Sequence, residues 1–439
     1  MTTKRYIVTS VIPNAKIDKE CFKTLQKIAA VKKAEIMVIE TAPNFTTDLK
    51  VEEYHLELEP IKEYLTTGGT KLSEKLMIST IPHNINVIDP LMGLETYMAK
   101  KGNIIIPFPR HCMKMVHRTL KHHKAPRGAW CTATISEPYY KATKSGITAF
   151  EYHTKGGIFV EINADDTFQI RQLEWDGKGI YDLTSYYTPE STKTGIRAFA
   201  VCTPDSHVPF VNKTAKNTIQ SVIRMVRPHN VVHNDVFDAV SISHHTEGKY
   251  LTKAKINLTL AEEGKLTSNF LQDFVKVSPK DTQHFLVGSN HHDHLDRYLD
   301  EGRYLKDKVN HILSLELALK KANGFNPLES LLRKFNNLDN VKVCNRDDSL
   351  KINGVELLCH GDSGSGGSRG TPKSVGVVYG GDVVTAHTHS PAITATGSYV
   401  VGTMTDLVMP YTPHDGGSNW AHSIVIVYPN GKRCNLVFV

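Results

Sequence analysis

The residues best able to do chemistry fall in five short clusters in the second half of the chain. They are Asp205-Ser206-His207, Asp235-Val236-Phe237-Asp238, Asn290-His291-His292-Asp293, Cys359-His360-Gly361-Asp362 and His387-Thr388-His389. Their donors are carboxylates, imidazoles and one carboxamide, with no paired thiolates. That set suits divalent ions such as manganese, iron or magnesium better than a structural zinc. Two dications acting on one phosphate need such ligands on both sides and a carboxylate between them. Taken singly, each cluster has an ordinary explanation. Asp235 or Asp238 can cap a helix, Asn290 can make a turn, and His360 can be a satisfied core histidine. His387 and His389 say more, because alternate positions on a strand face the same way.

The clusters share a context. Each follows a short apolar run that reads as a strand: Ile196–Val201, Val231-Val232, His284–Val287, Val355–Leu358 and Val383-Val384. Side chains held on loops just beyond strand ends are fixed well enough to form a pre-organised cage. Five such placements in order are much harder to obtain by chance than any one of them.

The rest of the sequence supplies the frame. Arg5–Val11 reads as a strand, Asp18–Val31 as a helix with Asp18 at its cap, and Glu35–Glu40 as a second strand, a βαβ opening. A second unit is expected from a strand at Ile85–Ile88, a helix around Leu91–Lys101 and a strand at Asn103–Pro107. Gly157–Ile162 and Thr167–Leu173 flank a turn at Asn163–Asp166. The polar run Pro189–Lys193 reads as a linker. The expected organisation is an N-terminal α/β domain over residues 1–193 and a catalytic domain over 194–439, with a helical insertion at about 295–340. The overall class is α/β, or α+β taken as a whole. Arg303–Phe335 reads as mostly helical with a break at Gly324–Pro327. The chain ends in a hairpin, Ser423–Tyr428 and Cys434–Val439, around Asn430-Gly431.

The chain has 439 residues, too many for one ordinary core. It is 40% hydrophobic and 22% charged, which excludes a disordered chain. No apolar run is long enough for a membrane helix, and the N-terminus lacks a signal-peptide core. Seven scattered cysteines without a CxxC read as free thiols in a reducing cytoplasm. Net charge is +7, and Met98–Ser136 contains no acidic residue but holds Lys100, Lys101, Arg110, Lys114, Arg118, Lys121, Lys124 and Arg127. A field of that sign suits a phosphate backbone, and equally a solvated basic helix face.

The order D-x-H, D-x-x-D, N-H-(D/E), H, H-x-H resembles the calcineurin-like metallophosphoesterase family over roughly Gly195 to Val439. The resemblance implies a β-sandwich flanked by helices and two divalent ions, manganese first, with magnesium or iron as alternatives. Asp205, His207 and His389 would hold one ion and Asn290, His360 and His387 the other, with Asp235 between them. His291 would be the catalytic histidine. Three positions depart from the family pattern without removing a ligand: Asn234 and Ala386 stand where glycines are usual, and His292 is an extra histidine after His291, which leaves open which of the two reaches the substrate, His291 being favoured and His292 a further substrate-binding candidate.

The form DVFDAVSISHH is similar to nuclease members of that family, in which case His244 and His245 would line a substrate groove, and the pair reads equally as surface histidines at the end of a segment. The glycine-rich run after Cys359 would let backbone N–H groups and Arg369 approach a phosphate, and reads equally as a flexible surface loop. RYIVTS, IFVEINADDTFQIRQL, HGDSGSGGSRG and SNWAHSIVIVYPNGKR resemble a group of tailed-phage proteins related to an early phage nuclease that degrades host DNA. The resemblance implies a DNA nuclease using metal-activated hydroxide in a bacterial host cytoplasm, with DNA as partner, no membrane and a homo-oligomeric state open. The alternatives are a nucleotide phosphatase or small-molecule phosphodiesterase, and a non-catalytic DNA-transfer or regulatory protein.

Overall fold

The computed structural model describes residues 3–41, 57–79, 88–119, 126–244, 257–409 and 417–438. The fold is mixed α+β, with a six-stranded and a seven-stranded sheet as its largest units.

The six-stranded sheet runs in the order Val341–Val343, Gln283–Leu286, Asn230–His233, Ala200–Cys202, His422–Val427, Arg433–Phe438. The first four strands are parallel, and the last two form an antiparallel hairpin on the edge. Period-two alternation gives each strand two apolar faces. Val201, Val231, Leu286, Ile424 and Ile426 point to one side, where they pack with Ile219 and Ile223 of the helix Lys213–Val226 and Phe270, Leu271 and Phe274 of the helix Leu260–Val277. Ala200, Cys202, Val232, Val425 and Val427 point to the other side and share a core with Ile105, Met113, Trp130, Ile393 and Tyr399 of the seven-stranded sheet. Two sheets thus face one another, with helices on the outer side of one.

The seven-stranded sheet draws on both halves of the chain. Leu76–Ile78, Asn103–Ile106, Arg127–Cys131 and Met113–Val116 continue into Ala392–Ile393, Tyr399–Val400 and Val384–Thr385. A four-stranded sheet, Glu35–Glu40, Lys4–Val11, Gly156–Ile162 and Phe168–Glu174, packs its last strand on the C-terminal hairpin. There Lys432 pairs with Glu174 at 2.5 Å and Gln172 accepts from the Asn435 amide at 2.8 Å. The expected linker at Pro189–Lys193 contributes a strand, Thr192–Lys193, to a small antiparallel sheet with Ser185–Tyr187 and Ile180–Asp182.

The βαβ opening is present. Asp18 caps the helix Lys19–Lys32 by accepting from the Cys21 amide at 2.9 Å, and the flanking strands are parallel. The hairpins around Asn163–Asp166 and Asn430-Gly431 form as expected. The second helix is shorter, Glu95–Lys101, and most of the expected strand at Ile85–Ile88 lies outside the described residues. The segment from Arg303 to Phe335 divides into Arg303–Leu305, His311–Ala322 and Pro327–Leu332. No helix among the described residues is long and apolar enough to cross a membrane. All seven cysteines are free thiols, and six are buried.

The basic run is partly built into the fold. Arg110 is only 3% exposed and donates to the Ile88 and Ala395 carbonyls at 3.0 and 2.8 Å. Lys114 pairs with Glu95, and Arg127 donates to the Ala99 carbonyl. Lys121 and Lys124 lie outside the described residues.

Candidate metal centre

The parallel strands of the six-stranded sheet end at Cys202, His233, Leu286 and Val343. Within four residues or so of those ends the chain presents Asp205, Asp235, Asn290 and Arg346, at the carboxyl edge where open parallel sheets place their sites. The first two loops are stitched side by side. The His207 and Val208 amides donate to the Asp235 and Val236 carbonyls at 2.8 and 2.9 Å. Asn234, at a position where the resembled family has glycine, donates from its side chain to the Thr203 carbonyl at 2.9 Å. The later ligand loops are tied in the same way, with the Ala386 amide donating to the His360 carbonyl at 2.8 Å and the Met404 amide to the Asp205 carbonyl at 2.7 Å.

These loops carry unusual backbone. His207, Asp235, His387 and His389 all have φ between +40° and +66°. That region is costly for residues with a Cβ and collects at functional sites. Here the cross-loop hydrogen bonds just described hold it.

Among the described residues three overlapping groups could each hold an ion, their ligand atoms lying within 4.8 Å of one another: Asp205, His207 and His389; Asp205, Asp235 and His360; His207, Asp235 and His291. Asp205 and Asp235 each belong to two of them. Nε2 of His389 is 3.3 Å from Asp205 Oδ2, while Nε2 of His360 and Nε2 of His207 are each 3.6 Å from Asp235 Oδ2. The Nε2 atoms of His207 and His389 approach to 2.9 Å. Ser289 donates to Asp235 Oδ1 at 2.5 Å.

The electrostatics are those of a site short of positive charge. Neither carboxylate oxygen of Asp205 makes a well-formed hydrogen bond, and both ring nitrogens of His360, Nδ1 of His389 and Oδ1 of Asn290 are also buried without one. Native proteins rarely leave so many buried polar atoms unsatisfied in one place. Burial and the neighbouring Asp235 push Asp205 well above the usual carboxylate range, against a smaller pull from the His387 amide. Asp235 goes the other way: burial opposes its charge, but His291, His207 and His360 outweigh it and hold the group well below that range. Burial drives His360 down to about 3 and His389 well below its ordinary value, which keeps their rings neutral as metal ligands require.

His291 differs from its neighbours. Its side chain is a quarter exposed, and its Nδ1 lies 2.8 Å from the Asp238 carbonyl while Nε2 faces Asp235 Oδ2 at 3.9 Å. Burial works against its protonation, but Asp235 and Asp238 prevail and its pKa is raised. His292 is buried at the start of the helix Asp293–Asp300 and is driven to about 4, chiefly by burial. Of the two histidines, His291 is the one that opens to solvent.

The remaining expected residues are more spread out. His387 lies outside the three groups, its ring edge-on to His360 at 5.3 Å. Asn290 lines a cavity of about 860 Å³ with His360, Gly361, Asp362, Arg346 and Tyr379. His244 is exposed and stacks on His294 at 5.0 Å, which in turn lies 5.4 Å from His291. His245 lies outside the described residues. Arg369 is exposed on the glycine-rich loop, near enough to His387 to oppose its protonation.

Three supporting residues have no site role in the sequence reading. Asp238 takes His207 Nδ1 at 2.8 Å, which turns Nε2 toward Asp235. Its place as the second aspartate of D-x-x-D is the signal that could have found it. Glu263, fully buried, accepts the Val240 and Ser241 amides at 3.0 and 2.9 Å and so fixes the loop that carries Asp238. Arg346 forks onto Asp362 at 2.7 and 3.1 Å and reaches Asp293 at 2.7 Å, bridging the loops that follow His360 and His291. Nothing local in the sequence marks Glu263 or Arg346.

No protein-family profile matches the chain, and no solved structure does. Among curated proteins it is similar to "Protein A1" of Escherichia phage T5, 29% identical over an alignment of 339 residues that covers 71% of this chain. The chain spans 59% of that relative's length.

Proposed function

We propose that the chain is a phosphodiesterase dependent on two divalent ions, manganese first, and that its substrate is DNA. The observation that carries the metal requirement is Asp205, a wholly buried carboxylate whose two oxygens lack a well-formed hydrogen bond, facing a second buried carboxylate among the imidazoles of His207, His360 and His389. A protein does not ordinarily keep such a group charged without a counter-ion. Asp205, His207 and His389 would hold one ion and Asn290, His360 and His387 the other, with Asp235 shared. Bound there, the ions would neutralise phosphate oxygens and make water a better nucleophile at neutral pH.

The protein's own groups would do the rest. Asp238 and the strained backbone at His207 fix the imidazoles before substrate arrives. His291, its Nδ1 tied to the Asp238 carbonyl, presents Nε2 toward the shared carboxylate. Its raised pKa suits it to carry a proton and give it to the departing oxygen. DNA as substrate rests on the resemblance to phage nucleases, the similarity to a phage T5 protein and the net charge of +7. On this reading the N-terminal half guides DNA, and the site of action is the host cytoplasm.

The test is incubation of circular and linear plasmid with the protein and Mn²⁺, Mg²⁺ or EDTA, beside His291→Ala. The expected result is metal-dependent loss of DNA, reduced roughly 10²–10⁴-fold in the variant. Intact DNA with hydrolysis of bis-p-nitrophenyl phosphate would keep the metal chemistry and move the substrate to small phosphodiesters. Normal cleavage by His291→Ala would remove that residue from its role.

A further inference from the structure

The helix His311–Ala322 is apolar on two opposite sides. Its inner side buries Ser314 and Leu317 and directs Lys321 to Asp296 and Asp300 at 2.6 and 2.9 Å. Its outer side carries Ile312, Leu315 and Leu319, at helical spacing and 79, 42 and 66% exposed. Leu305 and Val309 precede this stripe and Phe325 follows it, each more than 60% exposed. The Phe325 amide folds back onto the Lys320 carbonyl at 3.1 Å, keeping that ring at the end of the helix. A helix that is hydrophobic on opposite sides is normally covered on both.

We propose that this stripe is the interface of a two-fold homodimer, in which the helix packs antiparallel against the same helix of a second copy. Two observations favour a second copy. The first is area. The exposed fractions of the six residues amount to about four whole ones, roughly 600–800 Å² with the aliphatic ones set at the low end of the range of an aromatic. That is what one partner contributes to an ordinary stable interface, and more than a monomer usually leaves in one patch. The second is charge. Glu316 and Lys320 lie along the same flank of the stripe, both about two-fifths exposed. A two-fold axis midway between Leu315 and Leu319 sets Leu315 of one copy against Leu319 of the other, and Val309 against Phe325. The same operation makes the flank read Lys320, Glu316, Glu316, Lys320 along the seam, and each Glu316 keeps its own chain's Lys334 and Lys320 as partners, so the flank meets its copy with every carboxylate answered, as an isologous interface requires. The dimer does not depend on the metal chemistry proposed above, since the ligands are on the sheet edge.

Sedimentation velocity of the full chain at micromolar concentration tests it. The expected result is a species of twice the chain mass for the wild type and of single mass for Ile312→Lys with Leu319→Lys, with the same unfolding midpoint. A wild type that sediments as a monomer overturns the proposal, and would leave the stripe to the chain's own segment 245–256 or to a different protein. So does a lysine variant that stays dimeric. The register has its own test, valid even if the lysine variant fails to fold. Leu315→Cys with Leu319→Cys should give a covalent dimer on mild oxidation, and Leu315→Cys alone should not. Equal cross-linking of both would overturn the antiparallel arrangement.

Discussion

Arg171 and Asp182 are as deeply buried as Asp205 and Asp235, at 4, 1, 0 and 1% exposure. Around Arg171 every charge has been answered from within the chain. Its guanidinium forks onto Asp182 at 2.7 and 3.3 Å and reaches Glu161 at 3.4 Å, its face lies 4.4 Å from the Phe159 ring, and Lys32 and Arg5 add contacts to Asp182 and Glu161. Burial would raise the pKa of Asp182, but Arg171 and Lys32 hold it below the usual range. Around Asp205 the described residues supply carboxylates and imidazoles, and no arginine or lysine among them pairs with it. Asp205 is pushed up where Asp182 is pulled down. The same element of structure, a buried aspartate near a sheet edge, is thus complete in one region and a socket for a cation in the other.

The largest effect should come from removing a charge from the wall of that socket. Asp205→Asn keeps the volume and removes the charge. Activity should fall at least ~10³-fold, about 4 kcal/mol of transition-state stabilisation. Thermal unfolding supplies a readout apart from activity. Mn²⁺ at a hundred times its dissociation constant should stabilise the wild type by about 2.7 kcal/mol and the variant by far less. An equal rise in both would mean that the ion binds elsewhere.

The next largest effect should come from breaking the completed cluster. Arg171→Met strands Asp182, and such a change costs about 3–5 kcal/mol. The urea midpoint should drop accordingly, while Mn²⁺ uptake by calorimetry stays as in the wild type. If uptake fell together with stability, the two regions would be coupled and the contrast between them lost.

Much of the candidate centre is legible in the sequence because its ligands are chemically conspicuous and each follows a strand. Asp205, His207, Asp235, His291, His360 and His389 come together as a group. What supports them is less legible. Glu263 reaches the Asp238 loop from a helix more than twenty residues on, and Arg346 joins loops far apart in sequence. The basic run misleads for the same reason. Arg110 reads as a surface charge, yet its partner carbonyl at Ala395 is 285 residues away. The shared seven-stranded sheet is hidden because Val384–Thr385, Ala392–Ile393 and Tyr399–Val400 are only two residues each, too short for periodicity to register. Period-3.6 reasoning assigns one inner face to a helix, so it gives no account of the outer stripe on His311–Ala322.

The smallest effect is the most discriminating. Replacing the pair together, Arg171→Met with Asp182→Leu, removes charge and desolvation cost alike. Stability at neutral pH should then lie near the wild type or above it by about 1–4 kcal/mol. The pH dependence should change in sign-determined fashion. Asp182 has a depressed folded pKa, so it contributes stability above the ordinary aspartate value that is lost as pH falls through the folded one. Urea unfolding followed from neutral pH into the acid range should therefore show a steeper loss for the wild type than for the double variant. A double variant as unstable as Arg171→Met alone would show that the cluster holds the four-stranded sheet together by geometry that apolar side chains cannot replace. Asp182 would then resemble Asp205 more closely than its pairing suggests: a carboxylate kept for what it binds.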